Sequence, residues 1–220
     1  MIALFDIGST LIDGPPYGPA RRLAEMLGLG KPAVEQLEQL LFRTPSESAE
    51  HLAQHVAEGM GIEYTRAAEE CTKLWDAQLG EAYVLPGALE AVARLRDAGI
   101  PRAYLSNIWP PFYQHFHRSF DSETDAPQFL SFRLGLSKPD KKFFQAALRD
   151  LKVDPEQIVM IGDTYQNDIR PAIELGMKTI WVLHRPEKER ASLVDVLNAN
   201  APQPDITLNS IGELQPEHIL

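Results

Sequence analysis

The sequence predicts an α/β protein in which a parallel sheet carries helices on both faces and an all-helical segment is inserted near the N-terminus. Three observations lead there. Strand-like apolar runs near residues 2–6, 102–106, 129–133, 157–162 and 178–183 alternate with helical patterns, as strands joined by crossover helices do. The stretch 15–85 breaks this alternation, with several helical patterns and no convincing strand. Four of the runs lead to polar residues suited to phosphate or metal, and strand ends of a parallel sheet share one edge, where ligands bind.

Taken in order, Ile2 to Phe5 reads as a buried strand that delivers Asp6 to a turn of small residues, Gly8-Ser9-Thr10. A carboxylate there is placed to be a nucleophile or a metal ligand. Gly14-Pro15-Pro16 and Leu85-Pro86-Gly87 punctuate the chain as hinges. They divide it into a core (1–14 and 86–220) and a helical insert (15–85). Within the insert Leu37, Leu40 and Leu41 form one stripe, Ala49, Leu52, Ala53, Val56 and Met60 a second, and Ala67, Cys71, Leu74, Trp75 and Leu79 a third.

The core resumes with Ala88, Ala91, Val92 and Leu95 at helical spacing, ended before Gly99. Ala103-Tyr104-Leu105 leads to Ser106-Asn107, and the run from Phe129 to Leu136 precedes Lys138-Pro139-Asp140. Asp140 is a suitable N-cap for a helix containing Phe143, Phe144, Ala147, Leu148 and Leu151. Asp154-Pro155 opens a short helical turn. Ile158 to Ile161 ends at Gly162-Asp163, with Asn167-Asp168 just beyond.

Composition bounds the function. The 220 residues are 44% hydrophobic and 24% charged, enough to bury a sizeable core. The net charge of −10, from 31 acidic and 21 basic residues, has no basic cluster and argues against nucleic acid. An anionic substrate in this negative field needs local positive charge, from Lys138 and a bound cation. Cys71 is the single cysteine, so an intrachain disulfide and a cysteine-rich zinc site are excluded. No apolar run approaches the roughly 18 residues of a membrane span, and the expected location is the cytoplasm.

Four short segments in order resemble the motifs of the haloacid dehalogenase-like (HAD) superfamily, most members of which are magnesium-dependent phosphohydrolases. They are Phe5-Asp6-Ile7-Gly8-Ser9-Thr10-Leu11, Leu105-Ser106-Asn107, Lys138-Pro139-Asp140 and Gly162-Asp163-Thr164-Tyr165-Gln166-Asn167-Asp168. The resemblance implies a three-layer, Rossmann-like core, with the insert as a helical cap. It implies that Asp6 attacks phosphorus to form an aspartyl-phosphate, and that Asp6, Asp163 and the Gly8 carbonyl hold Mg²⁺. Ser106 and the Asn107 backbone N–H would bind phosphate, with Lys138 supplying charge opposite the metal. Asp168 would support the metal site by orienting a water or Lys138. The expected ligand is a small phosphorylated metabolite; a homodimer is compatible with the apolar stripes.

Gly8 departs from the family pattern, which has a second Asp there to protonate the leaving oxygen and then activate water. Losing a positioned acid/base typically costs about 10²–10⁴-fold in rate. Three readings stay open: a phosphatase with another proton donor, a weakly active or silent phosphometabolite binder, and a different reaction such as C–P cleavage. The third is disfavoured because Lys31 and Lys73, the lysines of the insert, stand in no recognisable motif. Dehalogenation is disfavoured by Asp163 and Asp168. His51 and His55, four residues apart, are candidate surrogate acids, although a solvated helix face explains them better.

Overall fold

A computed structural model describes all residues 1–220. The first half contains β1 (Ile2–Phe5), β2 (Ile12–Asp13), α1 (Pro19–Met26), α2 (Pro32–Arg43), α3 (Ala49–Met60), α4 (Tyr64–Glu81), β3 (Tyr83–Val84) and α5 (Ala88–Asp97). There follow β4 (Arg102–Ser106), α6 (Pro110–Ser119), β5 (Gln128–Leu130), α7 (Ser131–Leu134) and α8 (Lys141–Leu151). The chain continues through β6 (Ile158–Gly162), α9 (Arg170–Glu174), β7 (Lys178–Val182), α10 (Arg190–Leu197) and β8 (Ile206–Leu208).

Six strands form one parallel sheet in the order β5-β4-β1-β6-β7-β8. The fold is α/β and Rossmann-like. Alternation along each strand builds the layers, because successive side chains leave opposite faces. Ala3, Phe5, Tyr104, Val159 and Ile161 pack with α5 and α6, whereas Leu4, Ala103, Leu105, Ile158 and Met160 pack with Phe143, Phe144 and Ala147 of α8. Burying one large apolar side chain contributes about 1.5–3 kcal/mol, so α8 is anchored chiefly by its two phenylalanines. Asp140 caps it by accepting from the Lys142 N–H at 2.9 Å.

The sheet differs from the sequence expectation at three places. The run 129–133 is a strand only to Leu130; Ser131 begins α7, because its hydroxyl accepts from Ile108 N–H at 3.0 Å and donates to Ile108 O at 3.1 Å. That tertiary contact overrides the local apolar pattern. Ile206–Leu208, too short to stand out in sequence, adds the edge strand β8. The hinge segments lie beside a two-stranded antiparallel pair, Ile12–Val84 and Asp13–Tyr83, so residues 83–84 of the insert are extended.

Helices α1 to α4 fill most of 15–85 and share a hydrophobic cluster including Leu23, Leu37, Leu52, Val56 and Leu74. Trp109, just before α6, joins this cluster edge-on to Trp75 and donates to Gln78 Oε1 at 3.3 Å. No helix is long and apolar enough to cross a membrane.

Under β4 lies a buried polar anchor. Glu123 is fully buried and accepts from Arg102 Nε at 2.8 Å and from the Tyr104 hydroxyl at 2.9 Å. Glu123→Ala strands the buried Tyr104 hydroxyl and the half-buried Arg102 guanidinium and should lower stability by about 2–3 kcal/mol, read as a lower midpoint in urea. An unchanged midpoint would show the anchor to be dispensable.

Candidate active site

The turn after β1 places Asp6 at the C-terminal edge of the sheet, where the strand order reverses: the chain runs outward from β1 through β4 to β5 and then crosses to β6 on the other side of β1. Strands β4 and β6 flank β1 and deliver Ser106 and Asp163 to the same edge. Ligands of parallel sheets bind at this kind of switch point. Asp6 Oδ1 accepts from Ser106 Oγ at 2.9 Å and from Lys138 Nζ at 2.6 Å, and Oδ2 accepts weakly from Thr10 Oγ1 at 3.4 Å. One carboxylate oxygen is therefore pinned and the other is nearly free.

Lys138 is buried and also donates to Asp168 Oδ1 at 2.6 Å. Burial pulls its ammonium down, but Asp168 and Asp6 outweigh that and hold its pKa above the ordinary lysine value. The strand ends are shaped for this contact. A Cβ on Gly162 would meet the Asp168 carboxyl at 2.5 Å, so only glycine lets that side chain lie against β6. Asp168 is carried by a π-helical turn, Tyr165–Ile169, and its Oδ2 accepts from the Thr164 N–H at 2.9 Å.

Asp6, Asp163 and Asp168, all buried, place carboxylate oxygens within 4.8 Å of one another. They line a cavity of about 130 Å³ with Gly8, Lys138 and Arg185 among its walls. Burial first, then Asp168 and Asp6, push the Asp163 carboxyl up to about 7 against the opposing pull of Arg185. Burial and Asp6 likewise raise Asp168, to about 6, although Lys138 opposes them. Such a site is over-supplied with negative charge. An all-oxygen donor set with excess negative charge suits a hard divalent cation, so these residues fit magnesium.

The sign of the resulting pH dependence follows directly. Raised carboxyl pKa values mean the folded state holds protons that the unfolded chain gives up near pH 4, so stability falls as pH rises toward 7 and above. The half-buried His115, whose pKa burial lowers, acts in the opposite sense. In EDTA the melting temperature should fall between pH 6 and pH 8, and Mg²⁺ should raise it more at pH 8. A larger rise at pH 6 would contradict this charge balance.

The structure thus brings together Asp6, Gly8, Ser106, Lys138, Asp163 and Asp168. Asn107, whose backbone N–H is the expected phosphate donor, also has a side-chain role. Its Oδ1 accepts from Lys138 N–H at 2.8 Å while its Nδ2 donates to Lys138 O at 2.9 Å, bracketing the loop that presents the lysine. His51 is exposed, and neither it nor His55 lines the cavities at the site. Lys73 is exposed and paired with Glu69 and Glu70.

Two residues at the site escaped the sequence reading. Arg185 Nη2 donates to Asp163 Oδ2 at 3.1 Å, and its Nη1 lies 3.5 Å from Asp13 Oδ1. Asp13 is buried, with His184 Nε2 at 3.4 Å. The signal for Arg185 was present, since it follows the run 178–183 as the other polar residues follow theirs.

Two larger cavities adjoin the acidic one. A polar one of about 440 Å³ lies between α2, through Glu38 and Arg43, and the core residues Asn107 and Lys138. One of about 250 Å³ has Tyr17, Trp109 and Phe112 on one side and Gly8, Asp13 and Arg185 on the other.

A family model for haloacid dehalogenase-like hydrolases matches residues 1–176. Among curated relatives, glyceraldehyde 3-phosphate phosphatase of Pyrococcus furiosus is 24% identical over 192 residues, 82% of this chain and 79% of that protein. Among solved structures, a HAD phosphatase from Thermococcus onnurineus superposes with a TM-score of 0.61 at 20% identity, covering 97% of this chain and 95% of the other. A 2-haloacid dehalogenase from Pseudomonas syringae pv. Tomato gives 0.61 at 20% identity, covering 98% and 96%. The likeness to both structures establishes the shared fold and leaves the choice of reaction to the site.

Proposed function

Since this chain belongs to the haloacid dehalogenase-like hydrolases, we propose that it is a magnesium-dependent phosphatase of small phosphorylated metabolites in the cytoplasm, with α1 to α4 serving as a cap. The observation that carries this reading is the buried cluster of Asp6, Asp163 and Asp168 around Lys138. A dehalogenase has no use for a cation-binding acid set, whereas a phosphate dianion approaching a carboxylate needs positive charge on both sides. The phosphatase name of the Pyrococcus relative supports the same choice. The buried Cys71 thiol, pushed up to about 12 by burial and by Glu70, is too little ionised to be a nucleophile.

In this mechanism the less constrained oxygen of Asp6 attacks phosphorus, the ester oxygen leaves, and an aspartyl-phosphate forms. Water then attacks phosphorus and restores Asp6. Ser106 turns its hydroxyl from Asp6 to a phosphoryl oxygen, and Lys138 balances charge on that oxygen as it grows. Asn107 and Asp168 hold Lys138 in place. Asp6, Asp163 and the Gly8 carbonyl would hold Mg²⁺, which supplies Lewis-acid polarisation of the phosphoryl group. Arg185 keeps Asp163 oriented.

The test is phosphate release from a panel of phosphomonoesters, including glyceraldehyde 3-phosphate, in Mg²⁺ and in EDTA. Release that requires Mg²⁺ is the expected result. A folded protein that is stabilised by phosphate and Mg²⁺ but releases nothing would favour a binding role, for which the bare Gly8 is the supporting observation.

A further inference from the structure

We propose that Ser9 and Asp13 together perform the proton transfers for which Gly8 has no side chain, a role that rests on the phosphatase reading above. Ser9 has φ of +61°, a left-handed conformation that a non-glycine residue adopts at a cost of order 1–3 kcal/mol. Glycine would avoid that cost, whereas serine places a hydroxyl at this point. Its Oγ donates to Asp13 Oδ1 at 3.2 Å. Ser9 lines both the acidic cavity and the neighbouring aromatic one, and Asp13 lines the latter. Ser9 therefore stands where the two cavities meet, with its hydroxyl bonded to a buried carboxylate.

The space beside it is open. A Cβ on Gly8 would meet nothing within 4 Å, so a leaving oxygen or a water has room next to Ser9. Other candidates are placed less well. Glu38 is exposed and lines the polar cavity, which Gly8 does not border, and Thr10 Oγ1 is buried against Asp6. Asp13 is fixed from behind by Gly14 N–H at 2.9 Å and flanked by His184 and Arg185.

The protons balance over the two displacements. A phosphomonoester monoanion gives up its proton on binding, through Ser9, to Asp13. When Asp6 attacks and the P–O ester bond breaks, the leaving oxygen takes the Ser9 proton and Ser9 takes the one held by Asp13. In the second displacement Asp13 takes the Ser9 proton, Ser9 takes one from water, and the water oxygen bonds to phosphorus as the bond to Asp6 breaks. The departing phosphate removes the proton the substrate brought.

Ser9→Gly is the decisive variant because it removes the hydroxyl and suits the positive φ, which a melting curve checks. With an alkyl phosphate its kcat/KM should fall about 100-fold. With p-nitrophenyl phosphate, whose leaving group needs no proton, kcat/KM should fall far less. That substrate should also release a burst of about one nitrophenolate per enzyme, because the aspartyl-phosphate then waits for activated water. Asp13→Asn should follow the same pattern. Adding Gly8→Asp, for which the space exists, should restore alkyl-ester hydrolysis to Ser9→Gly. Equal losses on both esters without a burst, or no loss, would overturn the proposal. If the wild type shows no Asp6-dependent release from either ester, the phosphatase reading falls, and the relay with it.

Discussion

Asp6→Asn should reduce phosphate release by on the order of 10⁴-fold or more while leaving a folded protein. The amide oxygen can still accept from Ser106 and Lys138, which hold Asp6 Oδ1 at 2.9 and 2.6 Å. It cannot serve as an anionic nucleophile. The substitution also removes one charge from three carboxylates crowded within 4.8 Å. In EDTA at pH 8 the variant should therefore melt higher than the wild type, since Asp6 is among the groups raising Asp163 and Asp168. Lost activity with equal or greater stability separates a chemical role from a structural one. Near-wild-type release would remove Asp6 from the mechanism.

Three of the positions that sequence reading picked out share one property: each follows an apolar run closely enough for strand geometry to fix its place. Asp6, Ser106 and Asp163 sit at the ends of three adjacent strands, and no contact beyond sheet pairing is needed to bring them together. The pairing of Asp13 with Arg185 was hidden for the opposite reason. Their relation spans 172 residues and depends on where β2 lies relative to the loop after β7. The side-chain role of Asn107 was likewise hidden, because its partner is the backbone of Lys138 in a loop 31 residues away. In the fold, amphipathic stripes exposed α2 to α4, but the short edge strand Ile206–Leu208 offers too few residues for period-two alternation to stand out. Ser131 shows the remaining limit: an apolar run reads as strand until a side-chain bond to another loop turns it.

Lys138→Met should produce two separable losses. Turnover should drop by about 10²–10³-fold, the usual cost of removing a donor aimed at charge that grows in the transition state. Stability in EDTA should fall by about 3–5 kcal/mol, because Asp6 and Asp168 stay buried without their shared cation. Methionine retains much of the aliphatic volume, so a cavity contributes little to that loss. The carboxylates can escape the penalty by binding a proton, and Asp168 is already raised to about 6 with the lysine present. Without Lys138 it rises further, so the stability loss should shrink as pH is lowered from 8 to 6. Mg²⁺ should recover stability in the variant while turnover stays low, since a cation can neutralise the carboxylates but cannot replace an ammonium on the far side of the phosphoryl group. If Mg²⁺ instead restored both, Lys138 would be acting only as a counter-ion for Asp6 and Asp168, and its contact with phosphate would have to be abandoned.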